Sequence, residues 1–270
     1  MVDVEPVKPA PKLQVLQSRT LAEIPFVAHG LTRRVAGLGV AEGNVAYGGG
    51  RDRDEAWEMR RAWCNAIELD AETLVTVQQV HGVEVAAAAR EDAGRGAVPG
   101  SSPLATADAI ISAESGVALM TLHADCLPIL LCAPDVPAIA AVHAGWRGTV
   151  AGVTARTVEA LKREYGAVPD RTIAYLGPTN RGCCYEVGSE VVEGWLDYDP
   201  GDSAGALSQR GDRWYFDVAL ANRWALLAHG FRPGNIETSG ICTQCASDQW
   251  FSHRAQGPDT GRFGAIIALR

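Results

Sequence analysis

The sequence predicts an α+β fold: a single domain built as a layered sandwich, with mixed sheets flanked by helices. Three observations predict it. Helical and strand-like segments are interspersed along 270 residues, yet several strands follow one another with no helix between them, which a strictly alternating parallel fold does not do. The length suffices for one large core. The hydrophobic fraction of 47% and charged fraction of 21% are those of an ordinary globular chain, and no apolar run approaches the roughly 20 residues that a bilayer span requires.

Residues 1–20 carry prolines and charges but no continuous apolar run, so they are expected to form a flexible N-terminal arm and not a secretory signal, with the domain at 21–270. From Asp52 to Asp70 the spacing of Ala56, Met59, Trp63 and Ile67 predicts a helix, with Asp52 and Glu55 placed as a capping box. Leu74 to Val80 has the β-branched content of a strand and delivers His81 at its end, where Gly82 permits a turn. Residues 86–107 read as a connecting loop that adds little to the core. Four short apolar runs follow, at 108–112, 117–122, 129–132 and 138–142, each predicting a strand. After Gly148, Val150, Val153, Thr157, Val158 and Leu161 share one helical face that should end by Gly166. Residues 171–176 predict a strand, 187–195 a short helix and 199–212 a glycine-rich loop. Asp217 is placed to cap a helix through Trp224 and Leu227, with Gly230 after its end, and 263–269 predicts a closing strand.

A net charge of −8 and a pI near 5.3 exclude the clustered basic surface that nucleic acid requires. Seven cysteines, an odd set in a chain too long to depend on disulfides, are expected to be reduced thiols in the cytoplasm.

Three segments carry chemistry: Gln79-Val80-His81-Gly82, Ala124-Asp125-Cys126-Leu127-Pro128 and His143-Ala144-Gly145-Trp146-Arg147-Gly148. Each places a soft thiol or an imidazole near the end of an apolar run. Together His81, Cys126 and His143 supply the three protein ligands of a working zinc site, which keeps a fourth position for water or substrate. Taken singly, each is as well read as a core residue. Asp125 is a candidate to orient His81 or His143, because metal-bound imidazoles usually donate their other N–H to a carboxylate or carbonyl, and equally a candidate to cap a turn. Pro128 should end the preceding strand or begin a turn. Arg147, after the small Ala144-Gly145 pair, suits an anionic ligand, while Trp146 reads as core packing. His123 lies close enough to Cys126 to compete as a ligand, whereas His29, His229 and His253 lack such a setting. Cys183-Cys184 with Cys242 and Cys245 is disfavoured as a four-thiolate site, because thiolate pairs in such sites are usually separated by two to four residues.

With these segments the chain resembles the multicopper-oxidase-like laccase-domain family, also called the YfiH family, over most of residues 26–270. Further support comes from Leu176-Gly177-Pro178, from CCYEVG at 183–188, and from CTQC, FSHR and TGR between Cys242 and Arg262. The resemblance implies that His81, Cys126 and His143 bind a catalytic zinc. It implies purine nucleoside phosphorylase activity on adenosine, inosine, guanosine and methylthioadenosine, together with adenosine deaminase activity. The implied partners are purine nucleosides and phosphate, with no obligate protein partner. Two departures stand out: Asn180-Arg181 replaces an Ile-Gly pair, and a Ser-Leu-Asn-Leu-Gly segment survives only at 43–48, which makes Asn44 a candidate substrate contact.

Rival readings use the same residues. Cys126 with His143 or His81 as base would make a cysteine amidase acting in peptidoglycan editing. A copper polyphenol oxidase fits less well than zinc: the three methionines stand away from the motifs, and six histidines without a His-x-His pair are too few for a multicopper cluster. A merely structural metal domain would need a closed four-ligand shell.

Overall fold

The computed structural model describes residues 13–199 and 201–270. Its first elements are α1 (Arg19–Ala22), β1 (Val27–Leu31), α2 (Arg53–Ala66), β2 (Leu74–Val75) and β3 (Val85–Ala87). The centre holds β4 (Ala109–Ser112), β5 (Ala118–His123), β6 (Leu127–Ala133), β7 (Ala138–Ala144), α3 (Trp146–Val150), α4 (Val153–Tyr165) and β8 (Ile173–Leu176). It closes with β9 (Glu186–Val187), α5 (Ser189–Tyr198), β10 (Leu207–Arg210), β11 (Arg213–Phe216), α6 (Val218–Ala228), β12 (Ile236–Thr238), α7 (His253–Gln256) and β13 (Phe263–Leu269).

Two mixed sheets stack face to face, one of six strands in the order β12-β8-β6-β7-β4-β3 and one of four in the order β1-β13-β5-β2. Alternation along each strand sets what each face meets. Ile129, Leu131, Ala140 and Val142 pack under α4, α5 and α6 through Leu161, Trp195 and Leu226. Their neighbours Leu130, Cys132, Ile139 and Ala141 turn the other way, onto Leu119, Ala265 and Ile267 of the second sheet. That sheet's outer face, with Met120 and Ile266, is covered by Cys64 and Ile67 at the end of α2. The result is helix, sheet, sheet, helix, the layered α+β sandwich that the sequence predicts. Both faces of the central strands are covered, which is why they read as unbroken apolar runs. A third, small sheet, β10-β11-β9, is inserted in the chain between β8 and β12 and pairs with neither large sheet.

Several local expectations change. Asp52 caps α2 by accepting the Asp54 and Glu55 N–H groups, but Glu55 reaches across to the Ala41 N–H and completes no capping box. Only Leu74–Val75 of the 74–80 segment joins a ladder; beyond it the backbone bonds to Arg95 and Ala105, inside the segment expected to be an idle loop. That segment contributes β3 and the buried Ala88 and Ala97. The glycine-rich stretch contains β10, turned into β11 at Gly211, whose φ of 63° suits a tight hairpin. Helix 187–195 begins at Ser189, since Val187 pairs with β11. The helix after Gly148 starts earlier, at Trp146, and is interrupted at Gly152, whose φ is 86°. Pro128 ends no strand: it is the second residue of β6.

Of the expected N-terminal arm, residues 1–12 lie outside the described residues, and Leu13 onward joins the domain. Leu16 exchanges backbone hydrogen bonds with Leu31, and the buried Ser18 caps α1. Glu237 on β12 ties this corner down. Its carboxylate accepts from Ser18 Oγ at 2.7 Å, Thr20 Oγ1 at 2.8 Å and the backbone N–H groups of Arg19 and Thr20. Burial alone would raise its pKa, but these donors outweigh it and hold the carboxyl at about 2. A carboxyl depressed by folding stabilises above its unfolded pKa and loses that contribution as pH falls towards the folded one. Glu237→Gln should therefore lower stability at pH 7 by about 1.5–3 kcal/mol, the range for hydrogen bonds to a charged group. In urea unfolding followed downwards from neutrality, the gap to wild type should narrow as pH falls below about 4.5 towards 2; a gap independent of pH would contradict this account.

Candidate active site and metal centre

Strand register brings the site together. β7 runs antiparallel to both β4 and β6, with Ala109 opposite Val142 and Leu127 opposite Ala144. Asp108 before β4, Cys126 before β6 and His143 near the end of β7 therefore meet at one end of the six-stranded sheet. β3 runs parallel to β4, so the turn that precedes it, carrying His81, lies at the same end.

Asp108 is fully buried and saturated. Its Oδ2 accepts the N–H groups of Val80 at 3.2 Å and Gly82 at 2.6 Å, and its Oδ1 accepts the His81 N–H at 3.0 Å and His143 Nδ1 at 2.8 Å. These bonds hold His81 in the left-handed region, at φ 62°, a conformation that costs a non-glycine residue energy. They also fix the His143 tautomer and leave its Nε2 available. Burial pulls the Asp108 pKa up, but His143 and the backbone donors hold it below the ordinary carboxylate range.

The partner of His143 is thus Asp108, not Asp125. Asp125, itself at φ 89°, accepts from Thr243 Oγ1 at 2.6 Å and the Arg254 N–H at 2.7 Å, while its carbonyl accepts from Thr179 Oγ1 and the Asn180 N–H. It shapes the turn that presents Cys126. Gln79 does similar work for His81: its side-chain amide exchanges two 2.8 Å hydrogen bonds with the Leu122 backbone on β5. His123 does not compete for a ligand, since Nε2 meets Thr121 Oγ1 and Nδ1 meets the Cys126 carbonyl. His29 accepts the Ser18 N–H in the core, and His229 bonds the Ala225 carbonyl.

One donor atom each from His81, Cys126 and His143 lie within 4.8 Å of one another, with Cys126 Sγ 3.7 Å from His81 Nε2. The backbone leaves room for them: a Cβ on Gly145 would stand 2.8 Å from His81 Cδ2 and 3.1 Å from the Cys126 sulfur. Burial would raise the Cys126 thiol, yet the His143 charge and hydrogen bonds from both histidines bring it down to about 6. In the same pairing Cys126 and Asp108 overcome burial and raise His143 to about 9. A thiolate beside two imidazoles is a donor set that fits a borderline-soft divalent cation.

These residues line a cleft of about 640 Å³, within the usual range for small-molecule sites. Four arginines line it, Arg51, Arg147, Arg254 and Arg262, the guanidiniums of Arg51 and Arg262 donating to the backbone carbonyls of Gly48 and Thr260 and of Thr260 and Gly261, and its one lining carboxylate is the hydrogen-bonded Asp125. None of the four forms an ion pair among the described residues. Arg147 is exposed and lies over the half-buried Trp146 ring at 4.4 Å; Arg254 lies 5.0 Å over Tyr185. Burial first, then the neighbouring Arg51, lowers the Arg262 pKa. Asn44 is not among the lining residues: its amide is bonded to the Ala46 backbone and to the Arg262 N–H, so it positions the strand that carries Arg262. His253, which had no evident setting in the sequence, stands on the rim.

Sequence reasoning missed Asp108, Arg51, Arg254 and Arg262. The last two sit in the FSHR and TGR segments, which carried a signal without a role. Asp108 carried only its place at the head of an apolar run.

The sequence profile of the family described as multi-copper polyphenol oxidoreductase laccase matches residues 28–270. The chain belongs to this laccase family. Among relatives, the purine nucleoside phosphorylase of Deinococcus radiodurans is 34% identical over 264 residues, 96% of this chain and 94% of its own. The purine nucleoside phosphorylase YlmD of Geobacillus stearothermophilus is 32% identical over 228 residues, covering 84% of this chain and 83% of its own. Its crystal structure matches with a TM-score of 0.87 over 92% of this chain and 93% of that one. An adenosine deaminase, RL5, from an unknown prokaryotic organism is 31% identical over 83% of this chain and 88% of its own. These relatives make the laccase-family chain an enzyme. No helix among the described residues is long and apolar enough to cross a membrane.

Asp108→Asn should turn an amide N–H₂ towards backbone N–H groups and weaken the hold on His81 and His143. We expect metal affinity, measured by chelator competition, to fall about 10–100-fold, the usual effect of losing a ligand's supporting partner. Unchanged affinity would deny Asp108 this role.

Proposed function

We propose that this chain is a metal-dependent purine nucleoside phosphorylase, with zinc held by His81, Cys126 and His143, and that the same site deaminates adenosine. The observation that carries the reading is the cleft's charge: four arginines without carboxylate partners line the cleft that holds the metal-ligand set. Such a site suits phosphate beside a neutral nucleoside. The names borne by the phosphorylase and deaminase relatives support it.

In phosphorolysis a phosphate oxygen bonds to the ribose C1′ while the C1′–N9 bond breaks; the electron pair leaves with the purine, which takes up a proton, and the sugar retains the phosphate. The sugar carbon gains positive charge on the way, as in glycoside hydrolysis. Arg147, Arg51 and Arg262 hold and orient the phosphate, lowering the cost of bringing an anion to C1′. Bound zinc supplies a Lewis acid that polarises an oxyanion and acidifies a water. Zinc fits this donor set better than copper: two imidazoles and one thiolate face an open cleft, and no methionine lines it as a weak axial ligand.

A second reading draws on the Cys126, His143, Asp108 chain, whose depressed thiol and raised imidazole resemble a cysteine-hydrolase triad. It supports a peptidoglycan-editing amidase. The second imidazole on Cys126 and the arginine-lined cleft favour phosphorolysis.

Phosphate-dependent release of hypoxanthine from inosine tests the choice. Cys126→Ala should lose at least about 100-fold in activity together with its zinc, given that even supporting residues cost 10–100-fold. Arg147→Ala should retain zinc and raise KM for phosphate by roughly 10-fold, the effect of losing one charge-assisted hydrogen bond. Zinc-loaded protein that binds nucleoside but releases no base would refute the phosphorylase reading; an acyl adduct on Cys126 would establish the amidase.

A further inference from the structure

Cys183 and Cys184 follow β8, and Cys242 and Cys245 follow β12. These strands are parallel neighbours, so both turns leave the same end of the sheet side by side. An isolated parallel bridge between Thr179 and Cys242 continues the pairing shifted by one residue, with Thr243 N–H donating to the Thr179 carbonyl at 3.0 Å. Asn180 Nδ2 donates to Gln244 Oε1 at 3.2 Å across the same seam.

The sequence argued against a shared site because two of the cysteines are adjacent. The local backbone removes that objection. The N–H groups of Cys184 and Tyr185 both reach the Arg181 carbonyl, at 2.9 and 2.8 Å, so the turn is helical. Neighbouring side chains there splay by about 100° and not by the 180° of a strand. All four sulfurs consequently lie within 4.8 Å of one another, with Cys245 Sγ at 3.0 Å from Cys184 Sγ and 3.6 Å from Cys183 Sγ. A tetrahedron of thiolates around zinc, at about 2.3 Å each, has edges of about 3.8 Å. Cys183 and Cys245 stand close to that edge, Cys184 and Cys245 stand nearer to each other, and all four cysteines are free thiols.

Cys242 and Cys245 have the C-x-x-C spacing of structural zinc sites. Four thiolates and one divalent ion leave two negative charges; two arginines stand beside them, of which Arg181 is also paired with Asp217 at 3.2 Å. Arg210 donates to the carbonyls of Gly182 and Cys183, and Arg181 to that of Gly240.

We propose that Cys183, Cys184, Cys242 and Cys245 form a second, closed metal site that takes zinc as four thiolates, separate from the His81, Cys126 and His143 centre. Binding displaces the thiol protons to solvent and involves no change of oxidation state. The site staples the turns whose Asn180 and Tyr185 line the cleft, and whose Thr179, Asn180 and Thr243 hold Asp125 beside Cys126.

The test uses the full chain prepared under reductant. Wild type should carry two zinc equivalents, and Cys126→Ala and the double variant Cys183→Ser with Cys245→Ser should each carry one. Cobalt(II) added to metal-free Cys126→Ala should give the intense thiolate charge-transfer and visible bands of a tetrahedral four-sulfur site, a readout independent of whether the double variant folds. Zinc should also protect four thiols of Cys126→Ala from alkylation until a chelator is added. Reduced Cys126→Ala that takes up neither zinc nor cobalt would overturn the proposal. So would a disulfide among the four cysteines, found as a two-proton mass deficit in protein prepared without oxidant.

Discussion

The site depends on a single buried carboxylate. Asp108 has no exposure to water, and an unpaired charge in that position would cost several kcal/mol. It is stable because four donors close on it, three from one backbone turn and one from an imidazole. The same bonds dictate where His81 stands, which nitrogen of His143 remains open, and how far the 80–82 turn lies from β7. The arrangement is reciprocal: the carboxylate needs the turn for its solvation, and the strained His81 backbone needs the carboxylate to persist.

That reciprocity needs a rigid platform, and the doubled sheet provides one. β6 and β7 are covered on one side by α4, α5 and α6 and on the other by the second sheet, and every residue of both strands is buried. Interiors packed this way do not yield continuously. Groups placed at the strand ends therefore keep their spacing, as a metal centre requires of donors drawn from separate segments.

Much of this was legible in the sequence. The central strands announce themselves as apolar runs, and His81, Cys126 and His143 stand at their ends, where a side chain can reach a cleft. The supporting residues were not legible in the same way. Asp108 becomes the partner of His143 only through the pairing of Ala109 with Val142, which no local pattern specifies. Asp125, adjacent to Cys126 in sequence, was the natural guess, but its left-handed backbone turns its carboxylate towards Thr243 and Arg254. Asn44 failed for a related reason: its amide satisfies its own turn and the chain at Arg262. The four cleft arginines come from positions 51, 147, 254 and 262, and only tertiary structure shows that they share one space. The adjacent cysteines read as poor partners because spacing rules presume an extended or loop geometry, whereas a helical turn brings their sulfurs near those of Cys242 and Cys245.

The arginine-lined cleft belongs to a protein whose net charge is −8. A long polyanion approaching the molecule meets a net negative charge, and repulsion accumulates along its length. A small anion that enters the recess meets instead a concentrated positive field between low-dielectric walls. Such a distribution of charge favours small anions over long ones, and its pull on an anion weakens as salt rises.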